Sequence, residues 1–220
     1  VTAYPADGKV RIEITPGGNV SVPVYVRIPA WSKETKVTVN GEVVAGVNAG
    51  SYLKLDRQWK TGDAIELDLD FRVRALRGDR NVTFNTSLFR GPLLLTFDQA
   101  HNTIDPADVP DLDLNALSLT PVTQTLQFQP VVLFKTTAVD GREVVLTDFA
   151  TAGAPGTYYR SWLPVRNAPP APFYQTYPEK DARLPVEKMT FLWSEAEPGA
   201  TFTLLIAEDA AFSKVVLKKS

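Results

Sequence analysis

Apolar residues recur at every second position through most of this chain, and that period decides what it can fold into. Successive side chains on a strand point to opposite faces, so a period of two builds a surface that is apolar on one side only. Val10, Ile12 and Ile14 alternate with Arg11 and Glu13. Residues 20–28 alternate again, with Val20, Val22, Val24, Val26 and Ile28 on one face. Pro23 sits on that pattern and predicts an edge position or a bulge, because proline has no ladder donor. Val37-Thr38-Val39 runs into Asn40-Gly41, the strongest short hairpin signal, and predicts a type I′ turn joining Lys36–Val39 to residues 42–44. Residues 52–59 and 64–71 continue the alternation, and 82–84 and 93–97 complete the block. No helical stretch emerges before residue 100. Strand signals roughly ten residues apart, with turns between them, predict an all-β chain of antiparallel β-sandwich or jelly-roll domains with essentially no helix.

From residue 101 the character changes. Asp105, Asp108, Asp111 and Asp113 mix with Pro106 and Pro110, which predicts a linker or a long surface loop. Strand signals resume at 117–119, 126–128, 131–134 and 144–146, with Asp140-Gly141 as a second hairpin turn, and again at 158–165. Residues 167–172 are proline-rich and mark a second junction. In the tail, Met189, Phe191 and Trp193 alternate, 197–199 turn, and Phe202, Leu204 and Ile206 alternate before 215–217. The expected division is a β-sandwich over 1–100, a second β domain over 101–172, and a junction with partial strands over 173–220. Three tail strands need a partner surface. The expectation is that they complete the second sandwich and bury Trp193 against residues such as Val132, Phe134 or Leu163; pairing with a second copy is the alternative.

Composition removes several function classes. Lys and Arg number 23 against 25 Asp and Glu, a net charge of -2, and the basic residues do not cluster beyond Lys218-Lys219. A nucleic-acid partner is therefore not expected. No apolar run reaches membrane-spanning length. The first residue is Val1, which suggests a piece of a longer protein. The chain has no cysteine, so disulfides, thiolate metal sites and a cysteine nucleophile are excluded together. Its one histidine, His101, lies in a polar stretch, and there is no Gly-x-Ser-x-Gly elbow; it reads as a loop residue rather than a triad member. Glu66, Asp68 and Asp70 share the outer face of one strand and read as a solvated face rather than paired glycosidase acids. Asp111-Leu112-Asp113-Leu114-Asn115 opens like a calcium loop, but Ala116 stands where glycine belongs. Strand alternation is the first reading there, and calcium stays open. Of four tryptophans, Trp193 and Trp162 read as core. Trp31, at a strand end after Pro29 and close to Arg27, is the candidate for stacking on a sugar ring. The candidate carbohydrate contacts are Trp31 and Arg27; no catalytic, metal or cofactor residue is assigned.

These residues form an ordered set: Tyr4-Pro5, Val26-Arg27-Ile28-Pro29-Ala30-Trp31, Val39-Asn40-Gly41, Tyr52 with Leu55, Arg57 and Trp59, Gly62-Asp63, and Arg90-Gly91-Pro92-Leu93. Their order and spacing over residues 1–98 resemble the region after the catalytic barrel in glycoside hydrolase family 127, the β-L-arabinofuranosidase-like enzymes. Residues 145–152 with Tyr159, Trp162, Leu163 and Pro164 resemble the β domain that follows. The tail from about residue 187 resembles the first strands of a bacterial fibronectin type III domain. The resemblance implies an exported bacterial parent. Its (α/α)6 barrel would hold a cysteine nucleophile beside a cysteine-ligated zinc, and none of those residues exists in this chain. No cofactor is therefore expected here. The implied partners are the barrel of the same polypeptide, a second copy, and a plant-type polysaccharide. The implied work is support of the barrel; a carbohydrate-binding module and a cell-surface adhesion sandwich are the rivals. The three segments do not repeat one another in sequence, which argues against the adhesion array.

Overall fold

The alternating segments become strands in the computed structural model. It describes residues 1–15, 18–78, 82, 84–123, 130–170, 175–179, 182–183, 190–194 and 201–219. The first six strands are β1 (Lys9–Glu13), β2 (Val20–Arg27), β3 (Lys36–Val39), β4 (Glu42–Val43), β5 (Tyr52–Trp59) and β6 (Ala64–Asp68). They form a four-stranded sheet in the order β1-β6-β3-β4 and a two-stranded sheet, β2-β5. Between them Val26, Leu53, Leu55 and Trp59 meet Val37, Val39, Ile65 and Leu67 in one buried core. Burying each such side chain is worth on the order of 1.5–3 kcal/mol. The Trp59 indole Nε1 donates to the Val22 carbonyl at 2.9 Å, so its polar end is satisfied inside the core. Pro23 lies opposite Asp56 in an unbroken register from Val20↔Trp59 to Arg27↔Tyr52. A two-stranded sheet has open edges, which tolerate the missing donor.

The Asn40-Gly41 hairpin forms as its chemistry predicts, with φ of 53° and 84° at the two residues. It joins β3 to β4. Asn40 also ties the turn to the neighbouring β5–β6 connection. Its Nδ2 donates to Asp63 at 2.9 Å and its Oδ1 accepts from the Ala64 N–H at 2.8 Å. Asp63 in turn accepts from the Lys60 N–H at 3.0 Å.

The next strands are β7 (Val73–Arg77), β8 (Asn85–Arg90), β9 (Leu93–Asp98), β10 (Leu112–Asp113), β11 (Thr120–Pro121), β12 (Leu133–Thr137), β13 (Glu143–Asp148), β14 (Tyr159–Arg160) and β15 (Leu163–Arg166). They share one nine-stranded sheet. Its core gathers Leu88, Leu95, Phe97, Phe134, Val144, Leu146, Leu163 and Val165. The boundary expected near residue 100 falls inside this sheet, since β9 pairs with both β13 and β14. The Asp/Pro-rich stretch is no free linker. It buries Val109 and Leu112 in the same core and lays β10 parallel to β15. The strand expected over 82–84 instead begins at Asn85, because Phe84 takes a φ of 72°, which breaks an extended run. The signal at 117–119 is displaced to Thr120–Pro121, and 126–128 lies outside the described residues. Among the described residues, helix is limited to short 3-10 turns such as Gln99–His101 and Pro106–Asp108.

The chain divides into two compact units, Val1–Pro169 and Pro170–Ser220. In the second, β16 (Gln175–Tyr177) pairs with β17 (Leu192–Trp193) and β18 (Leu204–Ala207) pairs with β19 (Val215–Lys219). The expected burial of Trp193 is not observed: it is 44% exposed. Phe212, Val216 and Leu217 are exposed as well. Alternation gives a strand an apolar face but does not by itself bury it. Met189, the turn at 197–199 and Ala200 lie outside the described residues.

Candidate functional site

The two candidate carbohydrate contacts occupy different environments. Arg27 ends β2 on its outer face. Its Nη1 donates to the Ile28 and Ser51 carbonyls at 2.8 and 3.0 Å. The guanidinium lies over the Tyr52 ring, 5.3 Å from its centroid. Trp31 is half-buried. Its ring meets Phe71 edge-on, with centroids 5.6 Å apart, and Arg74 covers it at 5.6 Å. Trp31 is thus a packing residue at the edge of the first core.

Around Trp31 and Phe71 the structure builds a seam of arginines between aromatic rings. Arg74 on β7 lies over both Trp31 and Phe89, at 5.6 and 5.5 Å. Arg90 on β8 lies over both Phe71 and Phe134, at 5.2 and 4.9 Å. Trp31 and Phe71 pack on the core of the first two sheets, and Phe89 and Phe134 belong to strands of the nine-stranded sheet. Each guanidinium therefore joins two layers through cation–π contact, which strengthens as water is excluded. Each is also fixed by a carbonyl: Arg74 Nη2 donates to Gly91 at 2.6 Å, and Arg90 Nη1 donates to Ala6 at 2.8 Å. Burial pushes both guanidinium pKa values down, yet arginine keeps its proton at neutral pH. Gly91, with φ 57°, lets Phe71 approach so closely that a Cβ there would lie 2.5 Å from the ring. Gly8 does the same from the other side, at 2.7 Å. The sequence reading missed Arg74 and Phe89. The available signal was a cation placed between apolar neighbours on a strand, as in Val73-Arg74-Ala75.

The acidic candidates resolve into ion pairs and turn contacts. Glu66 pairs with Arg11, and Asp70 with Arg72. A groove of about 410 Å³ crosses the outer face of β1 and β6, but Lys9, Arg11 and Lys36 line it together with Glu66 and Asp68, so it carries both signs. Asp108 pairs with Arg142, Asp111 with Arg166, and Asp113 accepts from Asn167. Asp105 accepts from the Ala107 N–H. These carboxylates are spent on separate partners, and no three acids or histidines converge to hold a metal among the described residues.

His101 sits on a 3-10 turn beside the buried Asp98. Asp98 directs its oxygens elsewhere. It accepts from the Ala100 and Gly153 N–H groups at 2.8 and 2.7 Å and from the Thr157 hydroxyl at 2.6 Å. The His101 Nδ1 is buried without a hydrogen-bond partner, so an Asp–His pairing of the triad kind is not made. Burial alone would raise the Asp98 pKa; the bonds from Thr157, Gly153 and Ala100 outweigh it and hold the carboxyl below its ordinary value. Asp148, also buried, accepts from Val131 and twice from Thr151. The two aspartates thereby pin the 149–158 loop, which presents Phe149 and Tyr158 to solvent.

Comparison with known proteins agrees with this architecture. Residues 1–71 match the model of the β-L-arabinofuranosidase GH127 middle domain. Among solved structures, one described as a glycoside hydrolase is similar at 24% identity and a TM-score of 0.63, covering 75% of this chain and 31% of that one. A GH127 β-L-arabinofuranosidase from Geobacillus stearothermophilus T6 is similar at 21% identity and a TM-score of 0.64, covering 76% and 30%. A further GH127 β-arabinofuranosidase is similar at 21% identity and a TM-score of 0.61, covering 75% and 31%. No curated protein matches. The match covers less than a third of the length of each of these solved enzymes. The resemblance to family 127 read from the residues therefore holds, by the family model over residues 1–71 and by fold over about three quarters of the chain.

Proposed function

We propose that this chain is a non-catalytic accessory region of a larger β-L-arabinofuranosidase-like glycoside hydrolase, and that it works as a rigid support for a catalytic domain elsewhere in the polypeptide. The observation that carries this reading is the arginine–aromatic seam. A support must hold its own two layers in fixed relation, and Arg74 and Arg90 each stack between rings of both. The match of residues 1–71 to a middle domain, and the match covering only 31% of the similar glycoside hydrolase, support placing the chemistry outside this region. The site geometry supports it too, since Glu66, Asp70, Asp108 and Asp111 are paired with arginines and Asp98 and Asp148 accept from backbone donors, rather than facing each other across a cleft as paired glycosidase acids do. The test is turnover. The purified chain, given aryl β-L-arabinofuranosides and arabinan fragments, is expected to release no product above the buffer rate. Product release that a point substitution within the chain abolishes would overturn the reading.

A further inference from the structure

The outer face of the β2-β5 ribbon is built differently from the other solvent faces of the first sandwich. Along it the register places Tyr25 opposite Lys54 and Arg27 opposite Tyr52. Tyr25 is 57% exposed and Tyr52 65%. They are diagonal cross-strand neighbours, roughly 7–8 Å apart by sheet geometry. Both rings stand on strands rather than on loops, and the ribbon is held from behind by the buried Trp59, Leu53, Leu55 and Val26. Arg27 is fixed through two carbonyl bonds from Nη1 and lies over Tyr52. That uses two of the five N–H donors of its fork. Lys54 is held by Asp56 at 2.6 Å, which leaves an ammonium and a carboxylate side by side at the end of the strip.

We propose that this face is a saccharide-binding surface, with Tyr25 and Tyr52 as stacking platforms and Arg27, Lys54 and Asp56 as partners for hydroxyl groups. The chemistry favours a sugar chain over other ligands. A sugar ring offers one apolar C–H face, which packs on an aromatic ring, and a rim of hydroxyls that both donate and accept. The strip supplies rings interleaved with donors and an acceptor at that scale. Lysine and aspartate are depleted at the centre of a protein–protein interface, whereas here Lys54 and Asp56 stand on the same strip as the tyrosines. A nucleic acid would favour a basic stripe, whereas Asp56 neutralises Lys54. Of the two contacts expected from the sequence, Arg27 lies on this face, and Trp31 belongs to the seam. The inference rests on the accessory reading above only in the choice of sugars to be tried.

The experiment is titration of the 15N-labelled 220-residue chain with oligosaccharides from arabinan, xylan and galactan, followed by amide shifts. Saturable movement of the Tyr25, Arg27, Tyr52 and Lys54 signals is expected with at least one of them. Tyr25→Ala and Tyr52→Ala should each weaken that binding about five- to tenfold, while Tyr52→Phe retains it. Both rings are exposed, so an unchanged melting midpoint separates lost contact from lost fold. No movement of these signals with any of the sugars, or affinity untouched by both alanine substitutions, would overturn the proposal. Chromatography of the same samples reports turnover independently. Absence of binding without turnover defeats this surface and leaves the accessory reading standing, whereas turnover defeats the accessory reading whatever the shifts show.

Discussion

The carboxylate of Asp98 ties together three stretches at the rim of the second core. It is buried, and three donors from three positions converge on it: Ala100, Gly153 and Thr157. Replacing it with alanine would strand those donors, at a cost of about 1–3 kcal/mol. Asp98→Ala should lower the melting midpoint and quicken amide exchange in residues 149–158. An unchanged exchange pattern would mean that the loop is held by other bonds. Because the folded carboxyl titrates below its ordinary value, its stabilisation is fully present above the unfolded pKa of about 3.9 and is lost as pH falls through the lower folded value. Stability should therefore drop on acidification below about pH 4, with a smaller drop in the Asp98→Asn variant. None of this was legible in the sequence, where Asp98 is one acid at a strand end. Its donors lie up to 59 positions away, and only the folded chain brings them together.

At the scale of elements, local chemistry was readable and distant partnership was not. Asn40-Gly41 fixes its own geometry, because few residues accept positive φ at two successive positions. The structure keeps open space around the place where a Gly41 Cβ would stand. The cost of Gly41→Val is therefore backbone strain alone, of about 1 kcal/mol or somewhat more, and should appear as a lower melting midpoint. No change would mean that the turn relaxes to another type. By contrast, β7 was missed because Arg74 and Arg77 occupy positions that read as polar, and Leu76 stays half-exposed. Its strand character comes from pairing with β8 along all five residues. Trp31 drew attention as a sugar contact from its place at a strand end after Pro29. Its cover is Arg74, 43 positions later by residue number. Trp193 erred the other way: alternation supplied an apolar face, and the ring is 44% exposed.

At the scale of the molecule, the seam ties the first two sheets to a nine-stranded sheet whose strands the expected boundary at residue 100 divided between two domains. The all-β class was legible throughout, because the period of two persists for most of the chain. The boundary was not, because the Asp/Pro-rich segment resembles a linker in composition while Val109 and Leu112 anchor it in the core. If the region is a rigid support, its two layers must unfold together. The direct measurement is differential scanning calorimetry of residues 1–169, the first compact unit, as wild type and as Arg74→Met and Arg90→Met, substitutions that keep a long apolar stem and remove the charge. The account predicts a single transition in the wild type with equal calorimetric and van't Hoff enthalpies, and a lower or split transition in the variants, most marked when both are combined. Two independent transitions in the wild type, or a double variant that melts as the wild type does, would contradict it.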